Sequence, residues 1–282
     1  MASIDDLPEN VLLELFSLVP ARELLRHCRP VCSLWRDLID QVSFWKRKCL
    51  QEGFISEEQD QPVDDWKVFY FLCSLHRNLI RNPCGKDGLC FWVYIVRAKI
   101  HWTVENIPGH HGKEFPDTRV RECFLAFYGD CLKFQSVNLK DMGYSNELMD
   151  TVRPDIVIKD WFAPGPTTIY DRPWKYHICV RLLSADFDIL DVFELTELVA
   201  DGWSNSEWRE VSHTFSNYPP GVRYIDFHHG GRSPLNSTRP YVFKVTNSSI
   251  TIGPENLACR SSQMQQLDPH PDELMFSSSS YF

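Results

Sequence analysis

The sequence predicts an α+β protein: a small helical unit at the N-terminus, a helical linker, a C-terminal antiparallel β-sandwich and a disordered tail. Three observations carry this. Residues 7–20, LPENVLLELFSLVP, crowd apolar side chains into a short helical segment. From about residue 81 the hydrophobic period changes to two, with turn residues between the runs. Residues 255–282 lose periodicity and include a serine run. The expected boundaries are 1–50, 51–80, 81–254 and 255–282.

Residues 1–50 divide into short helices. Pro8 suits a first helical position, and Glu9 follows it where the positive end of the helix dipole favours an acid; Pro20 ends this helix. A second helix covers Ala21 to Cys28, with Leu24, Leu25 and Cys28 on one side. Pro30 disfavours the helical conformation at Arg29, so a break is expected there. Val31, Leu34, Trp35, Leu38 and Ile39 then recur at helical spacing, and Phe44 and Trp45 anchor a further turn or two. In the linker, SEEQDQPVDD (56–65) is polar and acidic and is interrupted by Pro62. An amphipathic helix follows, offering Trp66, Phe69, Tyr70, Leu72 and Cys73 for packing.

The strand region alternates best in KYHICVRLL, where Tyr176, Ile178, Val180 and Leu182 point one way and His177, Cys179 and Arg181 the other. RYIDF, VFKVT and SSITI repeat the pattern more weakly, and NYPPG (217–221) and HHGGRSP (228–234) read as separators. DMGYSNELMDT (141–151) reads as a short helix inserted between strands.

Composition narrows the function. The chain of 282 residues carries a formal net charge of -9, which argues against nucleic acid as a partner. No apolar run of about 18 residues exists, so no membrane insertion is expected. MASIDDLPEN places two aspartates where a secretory signal needs a basic region, which predicts residence in the cytosol or nucleus. In that compartment the ten scattered cysteines are expected to be reduced, and Asn236-Ser-Thr and Asn247-Ser-Ser to stay unglycosylated. Cys28 and Cys32 have a helical ligand spacing but no matching pair nearby, so neither metal nor cofactor is expected.

A helical unit of about 45 residues is near the lower limit for independent folding. Its apolar content exceeds what so small a core can cover. Either the rest of the chain covers the excess or a protein partner does; composition alone leaves these even.

LPENVLLELFSLVPARELLRHCRPVCSLWRDLID followed by Phe44-Trp45 resembles an F-box, through Leu7-Pro8, Leu12, Leu15-Phe16, Pro20, Leu24, Val31-Cys32, Trp35, Leu38 and Trp45. Pro30 replaces the apolar residue usual in that family. The resemblance implies docking on a Skp-family adaptor and, through it, on a cullin-RING scaffold. The expected adaptor-binding residues are Leu7, Pro8, Val11, Leu12, Leu15, Phe16, Leu24, Cys28, Val31, Cys32 and Trp35.

RNLIRNPCG, RPDIVIKDWFA, VSHTFSNYPPGVRYIDFHHGG and KVTNSSITIG are similar to the F-box-associated domain of the sugar-recognising F-box proteins. That resemblance implies a β-sandwich acting as substrate receptor of a ubiquitin ligase, directing targets, misfolded glycoproteins of ER-associated degradation among them, to the proteasome. In the sugar-binding relatives, loops at one end of the sandwich grip the core of a high-mannose glycan, using aromatic faces for the apolar side of the sugar. Here the segment after His-Gly-Gly reads RSPLNSTRP, without the tryptophan, and the loop APGPTTIYDRPWKY is longer than in the relatives. Tyr128 carries over, and Tyr170, Trp174 and Tyr241 are the other candidate glycan- or substrate-binding residues.

Two other classes compete: a ligase-independent lectin or chaperone-like module, and a Cys/His hydrolase drawing on His110-His111, His213, His228-His229 and Cys131. No nucleophile elbow or known catalytic spacing supports the hydrolase, and histidine pairs beside glycines are expected in exposed turns. A non-catalytic receptor for protein or glycoprotein substrates is the expected function.

Overall fold

A computed structural model of the chain describes residue 4 and residues 7–56, 62–94, 101–109, 113–127, 131–164, 174–199, 207–232 and 242–253. The expected tail, residues 255–282, lies outside the described residues, as does 57–61 of the linker.

The first helices are α1 (Glu9–Leu18), α2 (Ala21–Glu23, running into a π-helical turn Leu24–Cys28), α3 (Ser33–Ile39) and α4 (Val42–Gln51). Leu12, Phe16, Leu24, Trp35, Leu38 and Trp45 are all buried and belong to one core. The helical segment ends at Cys28, where the break is expected, but Arg29 itself does not leave the helical region. It keeps the helical conformation, because its N–H reaches Leu24 O at 2.8 Å and its guanidinium grips Asp40 in a forked pair. Val31 lies outside α3; Cys32 is extended there and its Sγ accepts from Trp35 N–H at 3.5 Å, capping the helix. Helix α4, expected as a turn or two, runs for 10 residues. Tertiary packing sustains it: Lys48 is buried and donates to Ser17 O and Val19 O at the end of α1, and Trp45 packs on Tyr70 and Phe71.

Helix α5 (Trp66–Leu75) is capped by the Asp65 carboxylate, which accepts from Lys67 N–H and Val68 N–H. It serves two cores. Trp66 and Tyr70 belong to the helical core, whereas Leu72, with Val68 and Leu75, packs into the sandwich.

The sandwich is built from β1 (Val93–Tyr94), β2 (His101–Asn106), β3 (Glu122–Phe127), β4 (Cys131–Asn138), β5 (Ile156–Pro164), β6 (Trp174–Leu183), β7 (Ile189–Val199), β8 (Arg209–Phe215), β9 (Tyr224–Arg232) and β10 (Val242–Ile252). Two five-stranded sheets have the orders β1-β4-β9-β6-β7 and β2-β3-β10-β5-β8, and every described pairing is antiparallel. Tyr176, Ile178, Val180 and Leu182 face the core, as their alternation predicts. The expected helix at 141–151 includes a π-helical turn, Leu148–Val152, pinned by Asp150, which accepts from Gly221 N–H and pairs with Arg223.

HHGGRSP is not the separator expected. Residues 228–232 complete β9, and His229 is fully buried. The glycines permit close strand contact there. At Gly230 (φ +152) an added Cβ would sit 1.9 Å from Cys131 O, and at Gly231 it would meet the Phe243 ring. Gly230→Ala should therefore lower stability by about 2–4 kcal/mol, read as a drop of several degrees in melting temperature. A melting temperature within about 1 °C of the parent would refute this reading of the β4–β9 contact.

Candidate functional site

The helical unit leaves one apolar face open. On α1, Leu12 and Phe16 turn inward, while Val11, Leu15 and Leu18 recur at spacings of four and three and stay exposed, with Leu7 continuing the line beyond the N-cap Pro8. Leu18 is 81% exposed. Ile4, Val31 and Val42 add exposed apolar surface. The expected adaptor residues accordingly divide. Leu7, Pro8, Val11, Leu15, Val31 and Cys32 are exposed, and Cys28 is half-buried. Leu12, Phe16, Leu24 and Trp35 lie in the unit's own core, where Phe16 and Trp35 pack edge to face at 5.0 Å. Leu18 and Val42 are exposed apolar side chains that the expected set did not include, and Leu18 shares the helical phase of Val11 and Leu15. Covering half-exposed side chains of this number is worth on the order of 5–10 kcal/mol gross, before association costs.

The far end of the sandwich collects a second group of segments. The registers Trp174↔Val199, Lys175↔Arg232, Phe127↔Val242 and Pro164↔Phe243 place the strand ends leading into 128–130, 165–173, 200–206 and 233–241 at one end. The joint with α5 lies at the other end, where Leu79 N–H donates to Ile250 O and Tyr144 Oη to Leu75 O. Tyr128, Tyr170 and Tyr241 lie outside the described residues; Trp174 starts β6, and its side chain is likewise outside them.

Between the sheets lies a polar cluster absent from the expectations. Asp160 on β5, Tyr176 on β6, His229 on β9, Ser248 on β10 and Lys133 on β4 are all fully buried. The Asp160 carboxylate accepts from Tyr176 Oη at 2.5 Å, from His229 Nδ1 at 2.6 Å and from Ser248 Oγ at 2.8 Å. A carboxylate acceptor fixes the His229 proton on Nδ1, and Nε2 has no hydrogen-bond partner among the described residues. The Lys133 ammonium lies 3.1 Å from the centroid of Trp92 and 3.8 Å from that of Phe124, a cation–π box that stands in for water. Burial pushes Lys133 well below an ordinary lysine, against the pull of Asp160. Burial likewise lowers His229 to about 4, with Asp160 opposing and Lys133 assisting.

The hydrolase candidates are otherwise occupied. Cys131 is fully buried, His213 lies flat on Phe193 with centroids 4.1 Å apart, and His228 stacks on Phe134. The histidine pair is therefore a strand feature, not an exposed turn; His110-His111 lie outside the described residues.

Comparison with known proteins places both halves. The family model F-box-like matches residues 4–51, and the model FBA, F-box associated region, matches residues 70–252. The chain is an F-box protein with an F-box-associated region. It is 56% identical over 254 residues to F-box only protein 44 from Homo sapiens, covering 90% of this chain and 98% of that one. Against F-box only protein 6 from Rattus norvegicus the identity is 54% over 252 residues, covering 89% and 87%. Against F-box only protein 2 from Bos taurus it is 39% over 258 residues, covering 90% and 85%. The open helical face thus belongs to the F-box, and the buried polar cluster to the F-box-associated region.

His229 makes the stability of that region sensitive to acid. The unfolded histidine takes its proton near pH 6.5 and the folded one near 4, so stability present above pH 6.5 declines as the pH falls through this window. The total is on the order of 3 kcal/mol. His229→Asn keeps a donor for Asp160 and cannot titrate. Urea denaturation at pH 7 and pH 5 should show a loss about 2 kcal/mol smaller in the variant; equal losses would exclude His229 as the source.

Proposed function

We propose that this protein is the substrate-recognition subunit of a Skp–cullin–F-box ubiquitin ligase and performs no bond chemistry itself. The observation that supports this best is the apolar stripe Leu7, Val11, Leu15, Leu18, exposed on an F-box whose own core is already filled by Leu12, Phe16, Leu24 and Trp35. A Skp-family adaptor covers this stripe and links the chain to a cullin-RING scaffold, while the opposite end of the sandwich holds the target. Tethering then makes ubiquitin transfer effectively intramolecular.

The targets we favour are protein surfaces rather than high-mannose glycans. RSPLNSTRP offers hydroxyls, amide and guanidinium groups but no ring to lie against a sugar. Losing two stacking contacts at roughly 0.5–1.5 kcal/mol each weakens sugar binding about 5- to 150-fold. Glycoprotein targets in ER-associated degradation remain the second reading, favoured by the strand ends leading into 128–130, 165–173 and 233–241, which lie together at that end.

Two experiments test these assignments. Leu15→Asp with Leu18→Asp should cut capture of the adaptor by more than about tenfold while leaving the melting temperature unchanged, because both side chains face solvent. Leu12→Ala should instead destabilise the unit by about 2–5 kcal/mol. Full adaptor capture by the double variant would sink the surface assignment. Calorimetric titration with a high-mannose core should show no binding tighter than about 0.1 mM; low-micromolar affinity would restore the glycoprotein reading and implicate Tyr128, Tyr170, Trp174 and Tyr241.

A further inference from the structure

The β6–β7 turn and strand β7 form an unusual exposed edge. Strand β7 ends its sheet, and among the described residues it pairs only with β6. Long edge strands are commonly blunted by charged side chains, proline, bulges or brevity. This one runs for 11 residues, ILDVFELTELV, without proline, and its charged side chains, Asp191, Glu194 and Glu197, are all acidic. The register irregularity of the β6–β7 pair falls at Leu182/Leu183, beside its first residues, so most of its length stays regular.

The turn ahead of it displays an aromatic side chain. Ser184 Oγ accepts from Asp186 N–H and Asp188 N–H at 3.1 Å, and Ser184 O accepts from Phe187 N–H. This holds Phe187 at φ +64, a conformation a bulky residue rarely adopts. Its ring lies on Tyr224, centroids 4.7 Å apart, and Phe187 is 61% exposed. Ile189 and Val192 follow at 58% and 50% exposure. The core gains little from this strained turn, which instead presents a contiguous apolar strip along an open sheet edge.

The charge of the strip selects the partner. Asp186, Asp188 and Glu194 lie beside it, and Arg181 stands cross-strand from Val192; Asp191 is in register with the inward Leu182, and its carboxylate accepts from Val192 N–H at 2.8 Å. Glu197 is taken by Arg209. A second copy of β7 would set one acidic row against another, on a chain already at net charge -9. We propose that the edge of β7 and the Phe187 turn form a protein-docking site that receives an extended basic segment of a partner as an added strand. Main-chain pairing supplies the affinity; cationic side chains meet the carboxylates, and alternate apolar ones meet Ile189 and Val192. The Phe187 turn lies at the end of the sandwich near α5, and β7 runs from there to Val199, paired with Trp174 at the opposite end. The proposal does not depend on the ligase reading.

The probe is a fluorescent peptide of alternating lysine and valine, titrated into the full chain by anisotropy near physiological salt. Its expected dissociation constant is about 0.1 mM, with at least tenfold weakening when glutamate replaces lysine or when alternate amides are N-methylated. Asp188→Lys with Glu194→Lys should weaken it equally without changing the melting temperature, and amide shifts should map to 187–197. Equal binding of the N-methylated peptide would overturn strand addition, because charge attraction alone would then suffice. No saturation by about 1 mM, or shifts confined to other surfaces, would overturn the site. Self-association that produces the β7 shifts without peptide would show the occupant to be a second copy.

Discussion

Helix α5 sets the relation between the two halves of the molecule. Trp66 and Tyr70 anchor it in the helical core, and Leu72 anchors it in the sandwich, all within one ten-residue helix. A helix of this length is about 15 Å long and does not bend without losing hydrogen bonds. Turning one half against the other would therefore strip side chains from at least one core. Met142 O, accepting from Arg77, and Ile250 O, accepting from Leu79 N–H, fasten the chain just beyond the helix. The open F-box face and the far end of the sandwich are thus carried on one packed frame. Such a frame suits the receptor role proposed above, because tethering accelerates transfer only when the geometry is held.

Within the sandwich the corresponding constraint is the Asp160 carboxylate. Its donors come from both sheets: Tyr176 and His229 from one, Ser248 from the other. Burying such a cluster is weak evidence for stability, since desolvation offsets much of the attraction. Its value lies in uniqueness. Three donors converging on one carboxylate allow a single alignment of β5, β6, β9 and β10, and a slip of one residue would turn each donor to the wrong face. Lys133 obeys the same logic, with the faces of Trp92 and Phe124 replacing its water. The cluster joins strands of both sheets that run on to the candidate target-binding segments, so it aligns the strands that carry them.

The local pattern of the chain was sufficient for the helices of the N-terminal unit, for the antiparallel strand character of the C-terminal region and for the inward face of β6. Each depends on the spacing of residues near in sequence, where hydrophobic period and turn chemistry act directly. The same pattern marked LPENVLLELFSLVP as too apolar for its size. It did not separate Leu12 and Phe16, which fill the unit's own core, from Leu15 and Leu18, which face solvent. That division depends on which side of α1 receives Trp35 and α4, a question of packing rather than of local preference. Arg29 stayed helical against the pull of Pro30 because Asp40, distant in sequence, holds its guanidinium. The His-Gly-Gly run became strand because β4 and Phe243 press against its glycines. Asp160, Tyr176, His229, Ser248 and Lys133 show no common spacing in sequence, and only the superposition of two sheets brings them together. The sequence by itself determined the character of the strongly periodic segments and how much apolar surface each carried. Tertiary structure alone decided which of that surface stayed open and which polar groups met, because burial and long-range hydrogen bonding are properties of the packed chain.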